Sequence, residues 1–175
     1  MKELFVEMLR GNTNSLGRTE EVVAVILKNP QRVNELFDGF YQDDEWVRLR
    51  VNSALKRLWR HDKTLVQPFV TRWTKEVAHI EQPSINWTFA QLVEECPELF
   101  TDKEIDSALS TIKQYLTHSS DWIVLNSSIQ TLSKRAKDDT ALRTWLMPQL
   151  KKLTTHDKKS VAGRARKWLT QLQEG

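Results

Sequence analysis

The sequence predicts an all-α chain: a right-handed α-solenoid of about five antiparallel helix pairs, with a period of about 38 residues, forming one domain over residues 1–175. Three observations predict it. The stretch from Asp43 to Arg60 has the pattern of one amphipathic helix. That pattern recurs at a fixed step along the chain. With five glycines and five prolines among 175 residues, little chain is left for loops, and no alternating apolar run argues for strands.

In the Asp43–Arg60 stretch, Val47, Val51, Ala54, Leu55 and Leu58 fall on one helical face. Asp43, Asp44 and Glu45 precede it, where a helix start favours negative charge and a capping oxygen. Lys56, Arg57 and Arg60 occupy the other end. A step of 38 residues carries Val47 to Ile85, Ile123 and Val161, and Val51 to Phe89, Ser127 and Ala165. Ala54 maps to Leu92, Gln130 and Trp168, and Leu55 to Val93, Thr131 and Leu169. The third copy is out of register, and a shift of one or two residues puts Leu125, Ile129 and Leu132 on the apolar face instead. Between the copies, Val66, Phe69 and Val70 map to Leu142, Trp145 and Leu146 over two steps.

The remaining elements follow in order. A short helix is expected from Lys2 to Leu9, broken by Gly11–Ser15, then a second from Thr19 to Lys28. Pro30 starts the next at a position that tolerates it, with Val33, Leu36, Phe37 and Phe40 inward. After the Asp43–Arg60 helix, a long one is expected from Asp62 or Thr64 to about Val77, burying Leu65, Val66, Phe69, Val70 and Trp73. Ser84 caps a helix that runs to about Glu95 and is ended by Pro97. Thr101 or Asp102 caps the next, with Ile105, Leu109, Ile112, Tyr115 and Leu116 inward. The run Ser119–Asp121 caps Trp122–Ala136, Asp139 starts a helix to about Thr154 interrupted by Pro148, and the last runs from Lys158 to Gln173.

On these residues the chain resembles the HEAT-repeat family. The likeness is carried by Asp43–Leu55 in the first clear copy and Lys159–Leu169 in the last, and covers roughly residues 15–172. Pro68 and Pro148 look like the kink-forming prolines of first helices in that family. The resemblance implies a concave face lined by the second helix of each pair, and a scaffold role. The related alkylated-base DNA glycosylases grip DNA with aromatic residues and place an Asp one turn beyond a Trp. Here Gln91 follows Trp87 at that spacing and Asn126 follows Trp122, so the acid is missing in both places.

Composition narrows function only by exclusion. The single cysteine, Cys96, rules out an internal disulfide and reads as a core residue in a reducing compartment. The N-terminal run has no signal-peptide core, and no apolar segment is long enough to span a membrane, so a cytoplasmic monomer is expected. There is no phosphate-binding glycine loop, nucleophile elbow or metal-ligand spacing, and no catalytic residue, cofactor or metal is expected. His61, His118 and His156 read as helix-end residues, and the acids from Glu94 to Asp106 as a solvated helix end and start.

The net charge of +3 is unevenly spread: residues 1–129 carry 15 Lys and Arg against 19 Asp and Glu, whereas residues 130–175 carry 11 against 4. This basic end, with Lys134, Arg135, Lys158, Lys159, Arg166 and Lys167, either keeps the terminal repeat soluble or meets phosphate or acidic partners. Two rows bear on binding. Arg50, Thr88, Asn126 and Arg164 form a polar ladder beside the core face, read either as a stiffening hydrogen-bond ladder or as a recognition stripe. Leu49, Trp87, Leu125 and Gly163 lie about 200° around the helix from the core face, at ~100° per residue, and read either as a binding patch or as extra buried surface. Trp46 and Trp122 stand at helix starts and could flank the rim. We expect a protein partner on the concave face, engaged through Leu49, Arg50, Trp87, Trp122, Leu125, Asn126 and Arg164. The alternative is nucleic acid at the basic end, or glycosylase-like chemistry on the same scaffold.

Overall fold

A computed structural model describes residues 4–11 and 15–175. Among them every regular element is helical: ten α-helices and six short 3-10 turns. Lys2, and the Asn12–Asn14 part of the expected break, lie outside the described residues. The chain divides into two compact units, Met1–Thr88 and Phe89–Gly175, with the division inside one helix.

The first unit opens with α1 (Phe5–Met8) and α2 (Thr19–Lys28). A 3-10 turn at Pro30–Arg32 leads into α3 (Val33–Asp38), and another follows at Gly39–Tyr41. The long helix α4 (Glu45–His61) packs on α2. It starts where the sequence predicts, because the Asp44 carboxylate accepts from the backbone N–H groups of Trp46 and Val47 at 2.9 and 3.1 Å. Val47, Val51, Ala54, Leu55 and Leu58 are all fully buried. Gly39 faces this helix so closely that an added Cβ would lie 2.7 Å from Val51 Cγ2. Valine is stiff at χ1 and cannot swing away. Gly39→Ala is therefore expected to cost about 1–3 kcal/mol, read as a lower denaturant midpoint at unchanged slope.

The expected long helix after Asp62 is not one helix. Lys63–Leu65 and Gln67–Phe69 are separate 3-10 turns, α5 covers only Val70–Lys75, and Val77–His79 is a further turn. Pro68 supplies the reason: it has no N–H to donate, and its ring crowds the preceding turn. Phe69, Val70 and Trp73 are nevertheless buried as expected. Trp73 sits among Phe37, Phe40 and Trp59, with ring centroids 5.6, 5.4 and 6.1 Å away. By contrast Pro148 stays within a continuous helix, held by the buried Leu142, Leu146 and Leu150 on either side of it.

α6 (Pro83–Glu95) begins at Pro83, not after a Ser84 cap; proline suits a first turn because its missing N–H would have no helical partner there. In the second unit α7 (Asp102–His118) starts with a reciprocal cap between Thr101 and Glu104. α8 (Trp122–Ala136) is capped by Asp121, and α9 (Thr140–Leu153) by Asp139. α10 (Lys159–Glu174) ends the chain. α7 packs on α8, α9 on α8 and α10, and α8 on α10. α8 takes the shifted register: Leu125, Ile129 and Leu132 are buried, whereas Ile123 is only half-buried. Cys96 is fully buried, and among the described residues no helix is long and apolar enough to cross a membrane.

Candidate functional site

In each unit a side-chain hydrogen bond links two helices that are not consecutive in the chain, between residues 32 and 34 positions apart. In the first unit the Asn52 amide donates to Ser84 Oγ at 3.4 Å. In the second, the Asn126 amide donates to Ser160 Oγ at 3.1 Å. Ser84 and Ser160 lie two 38-residue steps apart, each in the first turn of its helix. Gln130 on α8 makes the most extensive link. Its Nε2 donates to Glu94 Oε1 at 3.1 Å, and its Oε1 accepts from Trp168 Nε1 at 3.0 Å and from Arg164 Nη1 at 3.3 Å. The pairs 126 with 160 and 130 with 164 and 168 ascend together, so α8 and α10 run parallel.

Beside that link lies an open groove of about 320 Å³ between α8 and α10, lined by Gln130, Lys159, Gly163, Arg164, Lys167 and Trp168. Its three cations are exposed, and none forms an ion pair among the described residues. No acid lines it. Trp168, 6% exposed, forms part of the wall with its indole N–H turned to Gln130. A Cβ added at Gly163 would meet nothing within 4 Å. A glycine inside a helix costs about 1 kcal/mol relative to alanine, and nothing in the fold requires one here.

Glu94 connects the groove to a second concavity. It pairs with Lys134 at 3.7 Å and helps line a cleft of about 140 Å³ formed by α6, α7 and α8. The cleft floor is apolar, from Val93, Pro97, Ile105 and Leu109, and Lys134, Arg135 and Asp138 stand at its rim. The Thr131 hydroxyl in its wall is engaged with the carbonyls of Ala90 and Ser127 at 2.8 and 2.9 Å.

The structure separates the residues singled out from sequence. Arg164, Lys159 and Lys167 come together in the groove, and Lys134 and Arg135 at the cleft rim. Lys158 and Arg166 are exposed outside both linings, and Arg166 Nη1 donates to the Thr154 carbonyl at 2.9 Å. Trp122 is 44% exposed at the start of α8, while Leu49 and Trp87 are half-buried. Three candidates need correction as ligand contacts. Leu125 is 2% exposed, because the shifted register of α8 turns it into the core. Asn126 is 8% exposed and spends its amide on Ser160. Arg50 is 1% exposed, and its guanidinium binds the chain itself: Nη1 donates to the carbonyls of Leu9 and Gly11 at 2.7 and 2.8 Å, and Nε and Nη2 to that of Ser15 at 3.2 and 3.1 Å. The four ladder positions thus serve different ends.

Gln130 is the residue of this candidate site that sequence reasoning passed over, although it left a signal: a polar residue at a step where Ala54, Leu92 and Trp168 mark the core. Of the two residues one turn beyond Trp87 and Trp122, Gln91 is half-buried and Asn126 is bonded to Ser160. Among the described residues no three His, Cys, Asp or Glu side chains gather in a way that could hold a metal ion. In comparison with known proteins, the chain matches no family model and no curated protein.

Proposed function

We propose that this chain is a HEAT-like α-solenoid scaffold, without enzymatic activity of its own, that binds a protein partner on the surface formed by its second helices. The observation that carries the reading is the pair of adjacent concavities in the second unit, one cationic and one apolar, on either side of the Glu94–Gln130 link. Protein interfaces combine a buried apolar anchor with a charged rim, and these two surfaces offer both within a few residues of each other. The link between them is built from side chains already paired, so the surface is set before a partner arrives. The cationic groove also supports a second reading, nucleic-acid binding, because phosphate contacts need only positioned cations.

A photo-cross-linking side chain placed at Lys134, on the rim of the apolar cleft, separates these readings. Irradiation in the native host is expected to give protein adducts that survive nuclease treatment. A mobility-shift assay is expected to show only weak, salt-sensitive association with DNA. Nuclease-sensitive adducts together with submicromolar DNA affinity at physiological salt would overturn the protein-scaffold reading.

A further inference from the structure

We infer that the groove between α8 and α10 binds an extended acidic segment of a partner protein, an inference that rests on the scaffold reading above. Three features carry it. Lys159, Arg164 and Lys167 point charge into one groove that contains no acid, and none of them is ion-paired within the described chain. The groove therefore asks for an anion from outside. Gly163 presents bare helix backbone midway along, open to at least 4 Å. A residue that local helix chemistry disfavours, and that no packing explains, marks a place where something else approaches the backbone. Finally, the floor is fixed: Gln130 is held by Glu94 on one side and by Arg164 and Trp168 on the other. Arg164 gives one of its donors to Gln130 and keeps others for a carboxylate.

The occupant follows from these dimensions. From Lys159 to Lys167 the helix rises by about 12 Å, which about four residues of extended chain would cover. Carboxylates on such a segment can meet the three cations in succession, with its backbone crossing at Gly163. Single-stranded nucleic acid would match the charge, but it also uses aromatic faces to stack its bases. The one aromatic residue in the groove, Trp168, is walled in and committed to Gln130.

Fluorescence anisotropy with a labelled peptide of alternating Glu and Gly tests the inference, with a Gln–Gly peptide and a single-stranded oligodeoxynucleotide alongside. The Glu–Gly peptide is expected to bind at low salt, to dissociate at high salt, and to bind at least tenfold more tightly than the Gln–Gly peptide. Gly163→Ala should raise Tm by about 2–4 °C, from removing a helix glycine in open space. Gly163→Leu should fold as well as wild type and weaken the peptide at least tenfold by filling the groove. Lys167→Glu should weaken it similarly, whereas Lys151→Glu, exposed on α9 outside the lining, should leave it unchanged. If Gly163→Leu loses folding, Lys167→Glu decides alone. Peptide binding indifferent to Gly163→Leu and Lys167→Glu, or an oligonucleotide bound more tightly than the peptide, overturns the groove assignment. Protein cross-links from Lys134 that persist in Lys167→Glu while the peptide fails to bind would overturn the groove and leave the scaffold reading standing.

Discussion

Arg50→Ala is expected to destabilise the protein by about 2–4 kcal/mol, because a buried guanidinium that satisfies three backbone carbonyls disappears with nothing to replace it. Each hydrogen bond from a charged donor contributes more than a neutral one, and the carbonyls of Leu9, Gly11 and Ser15 would have to find water instead. Two glycines with positive φ, Gly11 and Gly17, shape the backbone around that guanidinium, and a Cβ on Gly17 would lie 3.4 Å from Arg50 Nε. Arg50→Lys keeps the charge but not the planar fork, so it should recover only part of the loss. Chemical denaturation gives the size of the effect, and amide exchange gives its place. Protection should fall first in α1 and around Gly11–Gly17. A variant as stable as wild type would show that these bonds do not hold the fold.

Trp73→Ala should be at least as damaging, at about 3–5 kcal/mol. The indole is fully buried and touches rings from three directions: Phe37, Phe40 and Trp59. Its removal leaves a cavity that α5, one and a half turns of helix between 3-10 segments, is poorly placed to close. Trp73→Phe makes the informative contrast. The Trp73 indole N–H meets no acceptor among the described residues, so phenylalanine removes an unpaired polar group while keeping a ring in contact with its neighbours. A loss nearer 1 kcal/mol is expected. Equal losses from the two variants would mean that the size of the indole, not the presence of a ring, holds the cluster together.

The contrast between these two residues shows what could be read in advance. Trp73 belongs to an apolar pattern, and its burial was legible even though the helix around it breaks at Pro68. Helix starts were legible for the same local reason, since Asp44, Thr101, Asp121 and Asp139 lie within a few residues of the N–H groups they cap. Arg50 was not legible, because its acceptors lie 35 to 41 residues upstream in a segment with no periodicity. The candidate groove was half legible. Lys159, Arg164 and Lys167 show as a basic run, and Gly163 stands in the row with Leu49 and Trp87. Gln130 was hidden, because its role depends on which side chains of α6 and α10 stand beside it. Leu125 was open to two readings, and only the register adopted by α8 decides between them.

The tie between Arg50 and Leu9–Ser15 also bears on the order in which the chain is made. α1 is further held by Arg32, whose guanidinium lies 3.8 Å from the centre of the Phe5 ring, and by Glu35, which accepts from the Phe5 N–H at 2.8 Å. All three partners leave the ribosome after the segment they hold. At synthesis rates of about 5–20 residues per second, Phe5, Met8 and Leu9 would wait for seconds before Arg50 emerges, with no place yet to bury their apolar surface. The segment is thus fixed only once the chain that follows it, as far as Arg50, has been made.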